Sequence, residues 1–251
     1  MTPALELRGL SKRFGGLTAT DHVSLSVPAG TLHALIGPNG AGKTTLINQV
    51  AGDLRHDAGA IMLGGIEIGA LPAWERVRCG LARTFQIAQL LPHYSVLDNV
   101  ALAIEVRQGH CFRFFADARK DRRTRDQAMS HLEAAGLSTR ASSAVSDLGQ
   151  GECKQLDLAV ALATRPSLLL LDEPMAGLSA LESRKMTELL ATLKGRLTMV
   201  LVEHDMDAVF ALADRISVLV YGRVIATGTS EAIKADEAVR VAYLGEDDGR
   251  C

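Results

Sequence analysis

The stretch Gly37-Pro38-Asn39-Gly40-Ala41-Gly42-Lys43-Thr44 fits the phosphate-binding pattern G-x-x-x-x-G-K-[ST] at every specified position. Glycines there let the backbone close around a phosphate, because no Cβ blocks the approach. The wrapped N–H groups form an anion nest at a helix N-terminus, where the helix dipole favours negative charge. Lys43 has the length to reach β- and γ-phosphates, and the Thr44 hydroxyl suits Mg²⁺. Pro38, Asn39, Ala41 and Thr45 complete the loop around the same anion. A second pattern, Leu168-Leu169-Leu170-Leu171-Asp172-Glu173-Pro174, ends an apolar run in two carboxylates. Asp172 is expected to hold Mg²⁺, directly or through water, and Glu173, directed elsewhere, to polarise an attacking water. The two patterns together describe nucleotide binding and phosphoryl transfer.

These residues need a scaffold that brings them together. Leu32 to Ile36, interrupted only by His33, predicts a buried strand before the phosphate loop, and Thr45 to Val50 a helix after it. Leu5 to Leu7 and Val23 to Val27 read as strands around the turn-rich Phe14-Gly15-Gly16. Ile61 to Leu63, Gly64-Gly65 and Ile66 to Ile68 read as a hairpin with a two-residue turn. Pattern and composition change near Leu71. Pro72 to Gly80 reads as a helix with proline in its first turn, and Leu81 to Gln86 as a short extended piece. Leu97, Val100, Ala101 and Ile104 share one helical face, with Ser95 as N-cap. A further helix is expected from Asp117 to Ala135, stopping at Gly136. Residues 71–164 therefore form a mainly helical insert. Beyond it come the strand Leu168 to Leu171, the helix Leu181 to Leu193, the strand Met199 to Val202 and the helix Met206 to Ala213. Ile216 to Tyr221 and Val224 to Ala226 read as a hairpin turning at Gly222-Arg223. Strands alternating with helices imply a parallel sheet covered on both faces.

Composition narrows the function classes. A net charge of −2 argues against binding nucleic acid through overall positive charge. Cys79, Cys111, Cys153 and Cys251 are scattered, without a C-x-x-C pair, which suits a reducing compartment and offers no metal pattern. No apolar run approaches the roughly 20 residues of a membrane span, and the N-terminus lacks a signal-peptide apolar segment. A cytoplasmic location is expected, with any membrane role exercised through a partner.

The order of motifs resembles the ATP-binding subunit of ABC transporters across essentially the whole chain. It runs from the phosphate loop to Gln86, a glycine motif opening a helix, the LLLLDEP run and a lone His204 after a strand. The resemblance implies an α/β fold: a P-loop NTPase core on a parallel sheet, a small antiparallel β subdomain and an inserted helical subdomain. It implies a single ABC ATPase domain over residues 1–251, parted as 1–70, 71–164 and 165–251. ATP and Mg²⁺ are the implied cofactors. Phe14 matches the aromatic that stacks on adenine, and Gln86 the glutamine that reaches Mg²⁺ and the attacking water and couples to the membrane subunit. His204 matches the switch histidine that bonds the γ-phosphate. Leu148-Gly149-Gln150-Gly151-Glu152 matches the signature motif, which touches the γ-phosphate held by an opposite protomer. The implied working unit is a head-to-tail pair, homo- or heterodimeric, on integral membrane permease subunits at the inner face of the membrane. A periplasmic or extracellular solute-binding protein is the implied indirect partner.

Arg83-Thr84-Phe85-Gln86, the helix starting Ser95-Val96-Leu97-Asp98-Asn99-Val100, Ala176-Gly177-Leu178 and the ending Ala242-Tyr243-Leu244-Gly245-Glu246 look like the ATPases of branched-chain amino acid importers, and the long middle insert with Arg83-Thr84-Phe85-Gln86 resembles the larger of their two types. The sequence departs from the family at the signature, with Gly149 in place of the usual serine and Gln150 in place of the usual glycine. Ser179 and Glu182 have capping-box spacing, so a helix start is expected there. The segment Cys111 to Arg125 combines six basic residues with three phenylalanines and reads as a solvated helix face, with a lipid-facing patch as the alternative. Two other functions compete with an import motor: a soluble ABC-type ATPase outside transport, and an ATP-binding regulatory subunit. A single phosphate loop without sustained heptads disfavours the first. Glu173 and His204 disfavour the second, although Gly149 and Gln150 keep it open.

Overall fold

A computed structural model describes residues 2–108 and 121–244 of the chain. Two sheets carry the strands. The first is antiparallel, in the order β2 (Leu17–Val27), β1 (Leu5–Phe14), β4 (Ala58–Leu63), β5 (Ile66–Glu67). The second has six strands in the order β10 (Arg223–Gly228), β9 (Arg215–Val220), β3 (Leu32–Ile36), β8 (Thr198–Val202), β7 (Leu168–Asp172), β6 (Leu81–Arg83). It is parallel from β9 to β6, and β10 returns antiparallel.

The leucine run of β7 shows why this strand is central. Leu168 and Leu170 pack on one face, with Leu46 and Ile47 of α1 (Lys43–Ala51). Leu169 and Leu171 pack on the other, with Met186 and Leu190 of α6 (Ala180–Leu193). Alternate residues face opposite sides of a strand, so a continuous apolar run is what a sheet buried on both faces requires. Each buried leucine contributes roughly 1.5–3 kcal/mol. A separate core forms among three helices, α3 (Val96–Gln108), α4 (Arg122–Ala134) and α5 (Gln150–Ala163), around Val96, Val100, Ile104, Ala128, Leu132 and Leu156. The other α-helices among the described residues are α2 (Ala73–Arg78), α7 (Met206–Leu212), α8 (Ser230–Ala235) and α9 (Glu237–Leu244). Among the described residues no helix is long and apolar enough to cross a membrane.

Several boundaries differ from the sequence reading. Strands β1 and β2 run 10 and 11 residues, well beyond the apolar stretches that signalled them. Their pairing continues through register shifts after Leu7, Leu10 and Lys12, so the apolar alternation is lost while the ladder persists. Pro72 is the N-cap of α2 and lies outside its first turn. Helix α4 begins at Arg122, because Asp121 takes extended backbone and its carboxylate accepts from the Arg123 and Thr124 N–H groups. The earlier part of the expected helix, and most of the basic-aromatic segment, lies outside the described residues. The β9–β10 hairpin turns at Tyr221-Gly222, one residue earlier than expected, since Val220 pairs with Arg223. Both turn residues have positive φ, 46° and 77°, as a two-residue turn matched to strand twist demands. Ser179 caps α6 by accepting from the Glu182 N–H, as its spacing predicted.

Candidate functional site

Four neighbouring strands, β3, β8, β7 and β6, end on the same edge of the parallel sheet. That is where ligands of open α/β sheets sit. The loop after β3 holds the phosphate pattern, Asp172 ends β7 and Glu173 follows it. His204 follows β8, and Gln86 follows β6. Parallel register alone therefore gathers residues more than 160 positions apart.

The phosphate loop is a tight cradle. A Cβ on Gly37 would run into the Leu219 carbonyl, and one on Gly42 into the Ala19 carbonyl. Gly42 has φ 102° and caps α1, whose N-terminus opens at Lys43. Lys43 is buried, and its Nζ donates to the carbonyls of Gly37 at 2.6 Å and Pro38 at 3.0 Å. Burial pulls its pKa down, opposed by the nearby carboxylates of Glu173 and Asp172. Thr44, by contrast, is exposed. The turn Tyr221-Gly222 braces the loop, with the Gly222 N–H donating to the Ala41 carbonyl at 2.9 Å. A cavity of about 480 Å³ opens here, lined among others by Phe14, Lys43, Thr44, Glu173, His204 and Tyr221, a size suited to a small-molecule ligand. Phe14 is half exposed in it.

Two side chains converge on the Glu173 carboxylate. Gln86 Nε2 donates to its Oε2 at 2.8 Å, and His204 Nε2 donates to its Oε1 at 3.0 Å. Its backbone has φ 50°, a left-handed conformation that costs a non-glycine residue about 1–3 kcal/mol and tends to occur at functional sites. Asp172 is buried and paired with Arg83, whose Nη2 donates to Oδ2 at 2.9 Å. The same guanidinium reaches Asp53 at 2.6 Å and lies 4.9 Å from the Phe85 ring centroid.

Several participants escaped the sequence reading. Lys154 Nζ donates to the Gln86 carbonyl at 2.7 Å and the Glu173 carbonyl at 3.1 Å. Asp157 accepts from the Phe85 N–H at 3.0 Å, and burial pushes its pKa up to about 6. Glu203 ties two loops together, accepting from Met175 N–H at 2.7 Å and His204 N–H at 2.8 Å. Tyr221 also lines the cavity. The clue to Lys154 and Asp157 was their spacing of three on a helix otherwise rich in buried Leu and Ala.

Gly149, Gln150, Gly151 and Glu152 do not line this cavity. Gly149 is the N-cap of α5, and its N–H donates to Glu152 Oε2 at 3.0 Å. Glu152 also pairs with Arg140. A Cβ on Gly151 would meet the Glu182 carboxylate, and one on Gly177 the Gln150 amide. The first turn of α5 thus lies against the loop between β7 and α6. Thr44 Oγ1, the Asp172 carboxylate and the Gln86 amide oxygen are all hard oxygen donors, the chemistry that Mg²⁺ takes. No cluster of three His, Cys, Asp or Glu that could hold a metal occurs among the described residues.

Residues 20–176 match the profile described as "ABC transporter". The chain belongs to the ABC transporter family. Residues 223–249 of this ABC ATPase also match the profile "Branched-chain amino acid ATP-binding cassette transporter". It is 38% identical to the high-affinity branched-chain amino acid transport ATP-binding protein LivG of Salmonella typhimurium, covering 97% of this chain and 98% of the relative. It is 37% identical to BraF of Pseudomonas aeruginosa, of the same description and with the same coverage. Among solved structures, a nucleotide-free ATP-binding cassette from an ABC transporter superposes with TM-score 0.84 at 30% identity, over 96% of this chain and 99% of that one. A cassette in its ADP conformation gives TM-score 0.84 at 29% identity, over 98% and 100%. The fold expected from the motifs is therefore the fold observed, and this ABC ATPase binds nucleotide.

Proposed function

We propose that this ABC ATPase is the ATP-hydrolysing motor of an importer for branched-chain amino acids or related small solutes. It works at the cytoplasmic face of the membrane, bound to integral membrane permease subunits and paired head-to-tail with a second ATPase subunit. A separate solute-binding protein outside the membrane supplies the solute. The substrate class rests on the relatives with which the chain shares its full length.

The observation that carries the hydrolytic part is the Glu173 carboxylate, bonded by both Gln86 and His204 at the rim of the phosphate-loop cavity. In this reading Lys43 leaves its two carbonyls for the β- and γ-phosphates, which answer its charge better than neutral oxygens do. Phe14 stacks on the adenine. Thr44, Asp172 and Gln86 would hold Mg²⁺, which would supply positive charge beside the phosphates. Glu173 orients and deprotonates the attacking water, and His204 bonds the γ-phosphate. Gly149 to Glu152, which do not line their own chain's cavity, face the nucleotide of the paired subunit.

Uptake in a strain lacking its own ATPase of this class tests the proposal. This chain, co-produced with its permeases, should restore labelled leucine uptake, and Lys43→Ala should not. Restored ATP hydrolysis without uptake of leucine, isoleucine or valine would reject the substrate class.

A further inference from the structure

Lys154 and Asp157 lie one turn apart on α5, both buried at 6% exposure. Neither lines the nucleotide cavity. Yet each is bonded to backbone on the route to it. Lys154 holds the carbonyls of Gln86 and Glu173, and Asp157 holds the N–H of Phe85. The two side chains that bond the Glu173 carboxylate come from Gln86 and His204. So one helix grips the main chain of the carboxylate and the main chain of one of its two partners. That helix opens with Gly149 to Glu152.

The grip falls where the backbone most needs support. Glu173 stands at φ 50°. Its N–H donates to the Val202 carbonyl at 2.9 Å. Its carbonyl accepts from Ala176 N–H at 3.1 Å and from Lys154 at 3.1 Å. The direction of the side chain follows from this backbone conformation. A lysine is an uncommon group to bury for two neutral carbonyls. The carboxylates of Asp157, Glu203, Glu173 and Asp172 all lie near enough to stabilise its charge.

We infer that Lys154 is a positioning residue for ATP hydrolysis: its bonds to the Gln86 and Glu173 carbonyls set where the Glu173 carboxylate stands over the phosphate loop, and with Asp157 they make the first turns of α5 and the hydrolytic carboxylate one mechanical piece. A shift of α5 when its N-terminal turn meets a partner's nucleotide is then transmitted along the two bonds of Lys154, one to Glu173 itself and one to its partner Gln86. The inference rests on the reading that Glu173 orients the attacking water.

Lys154→Met keeps side-chain length and volume and removes the donors. Misplacing a reacting group by about 1 Å can cost about 10²-fold in rate, so kcat should fall by that order in the full-length protein. Affinity for a fluorescent ATP analogue should stay within about threefold, since no nucleotide contact is lost; at about 1.36 kcal/mol per tenfold, that is a small change. Lys154→Arg, which can still donate to both carbonyls, should recover most of the rate. In a Glu173→Gln background, Lys154→Met should lower turnover little further, because the group it positions is already gone. A merely structural lesion would multiply the two losses or weaken nucleotide binding in step with kcat, and either result overturns the inference. Normal kcat in Lys154→Met beside slow Glu173→Gln also overturns it, leaving the role of Glu173 intact. Normal turnover in Glu173→Gln alone overturns both. Should Lys154→Met fail to fold, Asp157→Asn and Asp157→Ala decide the matter: the asparagine keeps an acceptor for Phe85 N–H and should retain the rate that the alanine loses, and equal rates would overturn the inference.

Discussion

Arg83 donates to Asp172 Oδ2 at 2.9 Å with both side chains almost wholly buried, so the carboxylate expected to hold Mg²⁺ already carries a fixed counter-charge. Removing one partner of a buried pair leaves an uncompensated charge and costs about 3–5 kcal/mol. Arg83→Ala should therefore destabilise the nucleotide-free protein by that order. MgATP should narrow the deficit, because Mg²⁺ supplies a new positive charge beside Asp172. Thermal unfolding of both proteins with and without saturating MgATP gives the comparison. A deficit of the same size in both conditions would mean that Asp172 and the metal do not interact.

Glu173→Gln preserves shape and tests proton acceptance. His204 can still donate to the amide oxygen. Gln86 must rotate its amide, since two NH₂ groups would otherwise face each other across the present 2.8 Å contact. Loss of a general base costs about 10²–10⁴-fold in rate, while nucleotide binding should persist because the phosphate loop is untouched. Steady-state hydrolysis and equilibrium binding on one preparation separate the two. Normal turnover would move the base elsewhere, with His204 next.

These carboxylates were legible in the sequence because they terminate an apolar run, and a buried strand leaves little choice about where its end lies. The residues that hold them were not. Arg83 bonds Asp172 across 89 residues, Asp157 bonds Phe85 across 72 and Lys154 bonds Gln86 across 68, through pairings that exist only once β6, β7 and α5 have assembled. Glu203 looks from sequence like one more charge after a strand, yet it accepts three backbone N–H groups. The Tyr221-Gly222 turn was misplaced by one residue because tyrosine is a poor candidate for positive φ. Its conformation is set by the two strands and by Gly222, whose N–H reaches Ala41. Apolar pattern thus defines the sheet, and only tertiary contacts define the polar lattice behind the site.

His33 interrupts the apolar run of β3 and gives the fold an acid-sensitive point. It is fully buried, with Nε2 and Ser217 Oγ 2.9 Å apart, and Ser217 in turn bonded to Thr227 at 2.7 Å. Burial, with a smaller contribution from Arg215, lowers its pKa from 6.5 to about 4. A histidine whose folded pKa lies below its unfolded value stabilises the fold above the unfolded pKa. That stability is lost as pH falls from about 6.5 to about 4, because the unfolded chain binds the proton first. At 1.36 kcal/mol per unit, the effect approaches about 3 kcal/mol. His56 and His131 are shifted in the same direction, so the measurement is a difference. Urea unfolding of the wild-type protein and His33→Gln, compared at pH 7 and pH 4, should show a smaller acid loss in the variant. Equal losses would place the sensitivity in other groups.

Gly149 offers the last test, at the N-terminus of α5. Its backbone, φ −73° and ψ 166°, is the extended conformation of an N-cap, and serine is among the residues preferred there. A Cβ would touch only Glu152 Oε2, at 3.9 Å. Gly149→Ser should therefore fold at least as well as the wild-type protein, gaining a few tenths of a kcal/mol at most. Its hydroxyl adds one donor where the opposing γ-phosphate is proposed to sit, worth about 0.5–3 kcal/mol, with the upper end reached for a charged acceptor. Gly149→Ala adds the same Cβ without the hydroxyl. Placed in a Glu173→Gln background to suppress turnover, the serine variant should dimerise with MgATP at lower protein concentration than either the alanine variant or Gly149 itself. Light scattering across a dilution series reads this directly. If serine and alanine behave alike, the hydroxyl has no phosphate to reach, and the head-to-tail pairing of α5 with a partner's nucleotide loses its support.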